Sequence, residues 1–599
     1  MMKIYKYIGM AMMAAGALAV TSCTEFNDYN EVVTDSNVSA TRTLWENIRQ
    51  NSQLSDFAAL VEKSGFNAQL DQTQYYTVWA PLNGTYDASV FQNLENAALM
   101  RQFVKNHIAS YSHRASGTIN ERVLMLNDKS YFFDGTSSYT FDDVTLNEVN
   151  LPSNNGLLHT LNGVATFYPN LYEYVTDPLL AQGKELDSLR HYFQNYETTY
   201  LDAEKSVLGP IVNGMQTYVD SVMVKENTLW SMLNAKIQNE DSTYTFLMPT
   251  NKAWRSTHDR IASYFNYLPT TIAQAFDAGN IASANAKAEI DNAYLQDSLA
   301  NLYLTSCLIY SNNDAYNQWV ERTASPYGSD TLRSTTRAKL SNPKDILGQT
   351  REKLKMSNGV ARIVDSLAFY PWETYSPQLT FRPYYSDIAG RVLNGNTHTV
   401  RVDDIDPAKV DMTQGGNNGE SSLRYMWIEP NGGYAKPELD VFLPNVLSTT
   451  YEFYCVFVPR SVSQALSNSV TLPNRVIFTL NYCDENGKLQ DHVFLDESEQ
   501  NIADFQAQFN LADNTTNRTT IRAFSNDTSR VDTLYIGEFT FPVSYYGLSG
   551  NNPVCPNIKI TSPFSVFNKN LLAAYSRDLR IAAIILKPKD LVEFEESKK

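Results

Sequence analysis

Long hydrophobic runs are scarce in this chain. The one clear run, Ile8–Val20, is too short to cross a bilayer. No later stretch approaches a span, so the rest is expected to be soluble and outside the cytoplasm. Positive charge is also in deficit. Lys and Arg number 48 against 65 Asp and Glu, for a net charge of −17. That excludes nucleic acid as a natural partner, because phosphate neutralisation needs basic patches. Cysteine is sparse. Apart from Cys23, the chain holds Cys307, Cys455, Cys483 and Cys555, spaced neither as a zinc site nor as a disulfide framework. Cys455 and Cys483 lie in neighbouring strand-like runs and are candidates to pair; buried free thiols are the expected state.

Catalytic signatures are missing too. There is no HExxH helix, no P-loop and no GxGxxG. Gly547-Leu548-Ser549-Gly550 lacks the spacing of a nucleophile elbow. Asp403, Asp404, Asp406 and Asp411 offer hard oxygen ligands but not the loop spacing of an EF-hand, so solvated turn acids are expected. No carboxylate pair stands out for glycoside hydrolysis. The sequence therefore points to no metal, no cofactor and no enzyme.

What is present is apolar and aromatic. Hydrophobic residues make up 43% of the 599, enough for packed cores in about three or four domains. The 37 Tyr and 28 Phe fit β-rich domains with aromatic cores. Exposed, they would instead make platforms for sugars, since such rings join an apolar body to a polar tip.

Residues 1–22 read as a targeting segment, with Lys3 and Lys6 before the apolar run. Val20-Thr21-Ser22-Cys23 resembles the lipobox of bacterial lipoproteins. That resemblance makes Cys23 the lipidated mature N-terminus and the membrane a partner through its acyl chains. Glu25 and Asp28 resemble the surface-export signal of Bacteroidetes lipoproteins, which implies an outer-membrane, cell-surface location. Residues 23–39 are polar and read as a flexible tether.

Two stretches, Tyr75–Asn83 and Leu151–Val164, alternate apolar and polar residues as half-buried strands do. Each carries a breaker, Pro81 in one and Asn155-Gly156 in the other. Gln102–Ile108 lies between them with helical spacing. This order resembles a fasciclin (FAS1) domain over residues 40–170. The resemblance places Thr77, Pro81 and Asn83 in the first motif, His107 in the middle one, and Asn155, Gly156 and His159 in the last. It gives the two histidines satisfied core hydrogen bonds rather than catalysis. Gly65 is placed to stop an opening helix, and Leu124–Asn127 and Tyr139–Leu146 read as strands.

The pattern returns over residues 171–372 in degenerate form. Pro249 and Asn251 repeat the first motif, and Asn358 and Gly359 the last. Arg362 falls where His159 would align. The middle motif is reduced to Leu304–Tyr310, with Cys307 and no His. A helical insertion spans Trp254–Asp297. From residue 373 to 599 short β-branched and aromatic runs alternate with turns, among them Asp484-Glu485-Asn486-Gly487, which predicts a C-terminal all-β sandwich. The fold class is α+β.

Six Asp-Ser/Thr-apolar tripeptides resemble the O-glycosylation acceptor of Bacteroidetes extracytoplasmic proteins. Their acceptors are Ser188, Ser221, Ser298, Thr331, Ser366 and Thr533. Ser366 follows a core motif, which sets it close to the interior. Three functions fit these readings. One is a surface lipoprotein binding a protein, peptide or glycan, as accessory to a TonB-dependent importer of the SusC/SusD type. The others are adhesion without an importer, and an enzyme with its site in the C-terminal region.

Overall fold

The computed structural model describes residues 41–599 except 204–205, 213, 221–222, 269–291, 322–330, 385–390, 393–397, 407–423, 463–470, 500, 513–514 and 548–554. Cys23, Ser221, Asp411, the tether and the middle of the Trp254–Asp297 insertion lie outside the described residues. Contacts divide the chain into two compact units. One holds residues 41–183, 236–246 and 353–361; the other holds 184–235, 247–352 and 362–599.

In the first unit, helix α1 (Leu44–Gln50) starts at a capping box. The Thr43 hydroxyl accepts from the Glu46 amide, and the Glu46 carboxylate accepts from the Thr43 amide. Helix α2 (Ser55–Ser64) buries Phe57, Leu60 and Val61 on one stripe. It ends at Gly65, whose φ of +80° is the left-handed cap that glycine adopts without strain.

Strands β1 (Tyr76–Pro81), β2 (Ile108–Ser110), β7 (Leu151–Ser153) and β8 (Gly156–Leu161) form a sheet of order β2-β1-β8-β7. Here β1 and β8 run in parallel from Tyr76 opposite Gly156 to Pro81 opposite Leu161. The half-buried alternation expected of them is corrected: every residue of both strands is buried. Helices cover one face, packing on Val78, Ala80 and Leu158. The other face carries Trp79 and Leu161 against a second sheet, β3 (Ile119–Leu124), β4 (Ser130–Gly135), β5 (Tyr139–Phe141) and β6 (Val144–Thr145). A parallel pair covered on both faces has no solvent side to hold polar residues. Two strand assignments also shift. Leu124–Asn127 ends a strand and enters the turn at Asp128, with φ +63°. Tyr139–Leu146 breaks at Asp142 and Asp143, both at positive φ.

Helix α3 (Leu171–Thr176) repeats the capping box with Asn170 and Glu173. Further on, β9 (Glu197–Leu201) pairs β12 (Met223–Asn227), and β10 (Val207–Val212) pairs β11 (Met215–Asp220). Strands β13 (Tyr244–Pro249), β14 (Ile309–Ser311), β17 (Thr350–Met356) and β18 (Gly359–Val364) form a sheet of order β14-β13-β18-β17. Between them lie α4 (Asn251–Ala262), α5 (Asn292–Ser306) and the short pair β15 (Leu332–Arg333) and β16 (Lys339–Leu340).

The second unit continues into two six-stranded sheets. One has the order β21-β22-β30-β24-β28, with β19 on β30. The other is β20-β23-β29-β25-β26, with β27 on β25. The strands are β19 (Leu379–Phe381), β20 (Arg391–Val392), β21 (His398–Asp404), β22 (Arg424–Pro430), β23 (Glu438–Phe442), β24 (Thr450–Phe457), β25 (Arg475–Cys483), β26 (Leu489–Phe494), β27 (Phe524–Ser525), β28 (Asp532–Thr540), β29 (Asn557–Thr561) and β30 (Leu579–Pro588). Phe453, Cys455, Ile581 and Ile584 of the first sheet share a core with Leu439, Phe478, Leu480 and Ile558 of the second.

The all-β expectation for this region is corrected. Helices stand at Ile502–Phe509 (α6), Lys569–Ala574 (α7) and Lys589–Ser597 (α8). Asn501 caps α6, and Phe505 and Phe509 sit one turn apart on it. Pro588 fixes the backbone just ahead of α8.

Candidate functional site

The motif residues of the first domain converge on the ends of β1 and β8. The Asn155 side chain is a three-way clamp. Its Oδ1 accepts from the Leu44 amide at 2.7 Å, and its Nδ2 donates to the carbonyls of Leu70 (2.8 Å) and Gln72 (2.5 Å). A Cβ on Gly156 would collide with the Tyr76 carbonyl, so only glycine lets the two parallel strands meet there. Asn83 works the same way at the far end. It accepts from the Asp56 amide at 3.0 Å and donates to the Ser52 carbonyl and the Ser55 hydroxyl. Pro81 closes β1 opposite Leu161. Buried Thr77 accepts from the His113 amide and donates to the Tyr111 carbonyl.

Both motif histidines are saturated. His107 donates from Nδ1 to the Phe103 carbonyl at 2.8 Å and accepts at Nε2 from the Ala165 amide at 3.1 Å. His159 is the opposite tautomer. Its Nε2 donates to the His113 carbonyl at 2.9 Å, and its Nδ1 accepts from the Asn150 amide at 3.3 Å. The His159 ring stacks on Trp79, centroids 5.5 Å apart. Burial pushes both imidazoles down to about 4 and keeps them neutral. With each nitrogen spoken for, neither ring has a free lone pair or proton to give.

The same clamps recur downstream. Asn358 accepts from the Leu171 amide at 2.9 Å and donates to the carbonyls of Ile237 and Asn239. A Cβ on Gly359 would collide with the Tyr244 carbonyl. Asn251 accepts from the Ser188 amide at 2.8 Å and donates to the Asp187 carboxylate; Pro249 closes β13. The histidines do not recur. Arg362, three residues after Gly359 as His159 is after Gly156, pairs with Glu321 at 3.1 Å and donates to the Thr350 hydroxyl. Leu308 precedes β14 where His107 precedes β2, and it is fully buried.

The other candidates are dispersed. Cys307, Cys455, Cys483 and Cys555 are buried free thiols, and burial raises all four, which leaves them unreactive. Asp403 accepts from the Tyr425 hydroxyl, and Asp404 pairs with Arg424. Among the described residues no group of acids, histidines or cysteines is placed to hold a metal. Of the tripeptide acceptors, Thr533 and Ser366 are exposed, the latter against its expected place close to the interior. Ser188, Ser298 and Thr331 are half-buried.

Buried charge is the feature that sequence reading missed. Lys129 is satisfied by Glu173 and Glu240, each at 2.7 Å. In the C-terminal region Asp578 gathers Arg580, Arg460 (3.4 Å) and the Trp427 indole N–H (2.9 Å). Arg475, 3% exposed, pairs with Glu499 at 2.6 Å. Burial outweighs that pairing and pushes the Glu499 carboxyl up to about 7. The available signal was a charged residue inside or beside an apolar strand run, as in Leu579–Ile585 and Arg475–Leu480.

Residues 52–166 match the sequence model of the fasciclin domain. No curated protein matches the chain. Among solved structures, one similar chain is described as a FAS1 domain pair from the insect cell adhesion molecule fasciclin I. It is 12% identical, with 55% of this chain and 99% of that chain covered and a TM-score of 0.19. Another comprises the CBM22-1 and GH10 modules of Clostridium thermocellum xylanase 10B complexed with xylohexaose. It is 9% identical, with 35% and 28% covered and a TM-score of 0.19.

Proposed function

We propose that this chain is a non-enzymatic binding protein anchored to the outer membrane through Cys23 and displayed at the cell surface. The observation that carries the reading is the fasciclin domain at residues 52–166, a module associated with adhesion and binding. Two saturated, neutral histidines at its motif centre favour a structural role for that centre. Residues 171–372 are read as a second, degenerate fasciclin domain, supported by the repeated Asn and Gly clamps. Residues 373–599 are read as a sandwich, supported by two sheets sharing one core. The ligand is a protein, peptide or glycan. The lipobox-like Cys23, the acids after it and the glycosylation-like tripeptides favour work beside a TonB-dependent importer of the SusC/SusD type.

Mild-detergent capture of tagged protein from its native outer membrane tests this. Stoichiometric recovery of an importer is expected. Recovery of the protein alone would sink the importer reading and move adhesion forward. Cys23→Ala should release the protein from the membrane fraction; full retention would contradict the anchor.

A further inference from the structure

The stretch from Glu197 to Asn227 pairs with itself. Strands β9 and β12 form one two-stranded sheet and β10 and β11 another, and among the described residues no further strand joins either. The pairings nest, so the chain runs out along β9 and β10 and returns along β11 and β12. A two-stranded ribbon alone is marginally stable in water; a third strand or a packed face normally completes it. At the far end Ile211 and Met215, either side of the turn at Gly214, are each 70% exposed, so no packed face completes the ribbon there. Residues 206–219 include none with a charge, in a chain that is 19% charged.

The two edges of the outer ribbon differ. On β10, exposed Pro210 has no amide to offer, and its carbonyl already accepts from the Thr217 hydroxyl. Proline on an edge strand closes that edge to further pairing. Strand β11, Met215–Asp220, has no proline, and β10 is its one strand neighbour among the described residues. The open edge is therefore on β11.

The chemistry of that edge selects its occupant. Lipid suits it badly. An open strand edge would carry unpaired amides and carbonyls into hydrocarbon, and Asp202 and Asp220 flank the uncharged stretch. Another strand suits it well, because it meets those backbone groups one for one. The ribbon's own strand is a matched partner. Laid antiparallel about a two-fold axis between Thr217 and Tyr218, β11 faces β11 in full overlap. Met215 then stands opposite Asp220 of the second copy, Gln216 opposite Val219, and Thr217 opposite Tyr218. No like charges meet, and a β-branched residue faces an aromatic one at the centre.

Such a contact uses the same patch on both copies and closes on itself. The two β10 strands end up outermost, and their closed edges stop the sheet at four strands, where two open edges would build fibres. We propose that β11 pairs with β11 of a second copy of this chain, joining the two ribbons into one four-stranded sheet. The interface is small, so the dimer is weak and reversible. It is independent of what ligand the chain binds.

Sedimentation velocity of the full mature chain over a wide concentration range tests this. Monomer should give way to dimer as concentration rises. Hydrogen-exchange protection of Met215–Asp220 should rise in step, while that of Tyr244–Pro249 stays constant. Two changes at the exposed tip test the register. Met215→Asp sets two carboxylates face to face at each end of the shared pairing, and Met215→Lys sets opposite charges there. Dimerisation should be about tenfold weaker in the first than in the second, and added salt should shrink the difference. Monomer at every concentration overturns the proposal. So does a dimer that leaves the protection of Met215–Asp220 unchanged, or one that treats the two variants alike. Open-ended assembly would show that β10 is not a closed edge and overturn the four-stranded sheet. Protection of β11 that arises only with added phosphatidylcholine vesicles would overturn it in favour of lipid.

Discussion

Two places in this chain are built on one set of hydrogen bonds and differ in what lies beneath them. Asn155 and Asn358 each hold the first amide of a helix and two carbonyls, ahead of a glycine that only a bare Cα permits. Three residues further on, the first place has neutral His159 stacked on Trp79 between two backbone partners. The second has Arg362 paired with Glu321. The clamp sets the geometry of the strand ends with the same three hydrogen bonds in both places. The position below needs only a side chain whose polar atoms are all met, and two unrelated chemistries meet that need. Satisfaction of hydrogen bonds, rather than histidine as such, is what the position demands.

The hardest break is at the glycines. Gly156→Ala and Gly359→Ala should each cost about 4 kcal/mol or more, because a carbonyl of the neighbouring strand cannot move away. Limited proteolysis should then cut the altered place first. Tolerance of either change would mean the two places are not built alike.

Exchanging the positions below should cost less, and unequally. His159→Arg puts a charge where only backbone carbonyl and amide wait, at roughly 3 kcal/mol. Arg362→His removes the charged bonds to partly exposed Glu321 and the bond to the Thr350 hydroxyl, at roughly 2 kcal/mol. Denaturant midpoints measure both. Equal costs would remove the contrast drawn here.

A smaller effect separates the places by pH. His107 and His159 titrate near about 4 when folded and near 6.5 when unfolded. The unfolded chain therefore binds protons between those values that the native chain does not. Stability at the first place falls as pH drops from 6.5 towards 4, by roughly 2–3 kcal/mol per histidine. The second place has a histidine at neither position. Hydrogen-exchange protection of Tyr76–Pro81, corrected for the intrinsic rate at each pH, should fall in acid ahead of that of Tyr244–Pro249. Equal acid sensitivity would contradict the assignment.

Much of this was legible in order and spacing. The breakers Pro81, Asn155-Gly156, Pro249 and Asn358-Gly359 announced both places, because their backbone demands leave few alternatives. Strand burial was misread, since alternation cannot report a second sheet arriving from Ile119–Thr145 to cover the far face. Helix α6 was passed over because its eight residues sit among β-rich runs. The Arg475–Glu499 pair was invisible for a different reason. Its partners are 24 positions apart, so although Arg475 opens an apolar run, nothing in the sequence joins it to Glu499.

The most direct test of the repeated clamp is hydrogen exchange at two amides, Leu44 and Leu171, in the parent chain and in Asn155→Ala and Asn358→Ala. Both amides should be protected in the parent, and each variant should expose only its own. A Leu171 amide that exchanges freely in the parent, or ignores Asn358→Ala, would contradict the claim that the second place is built as the first.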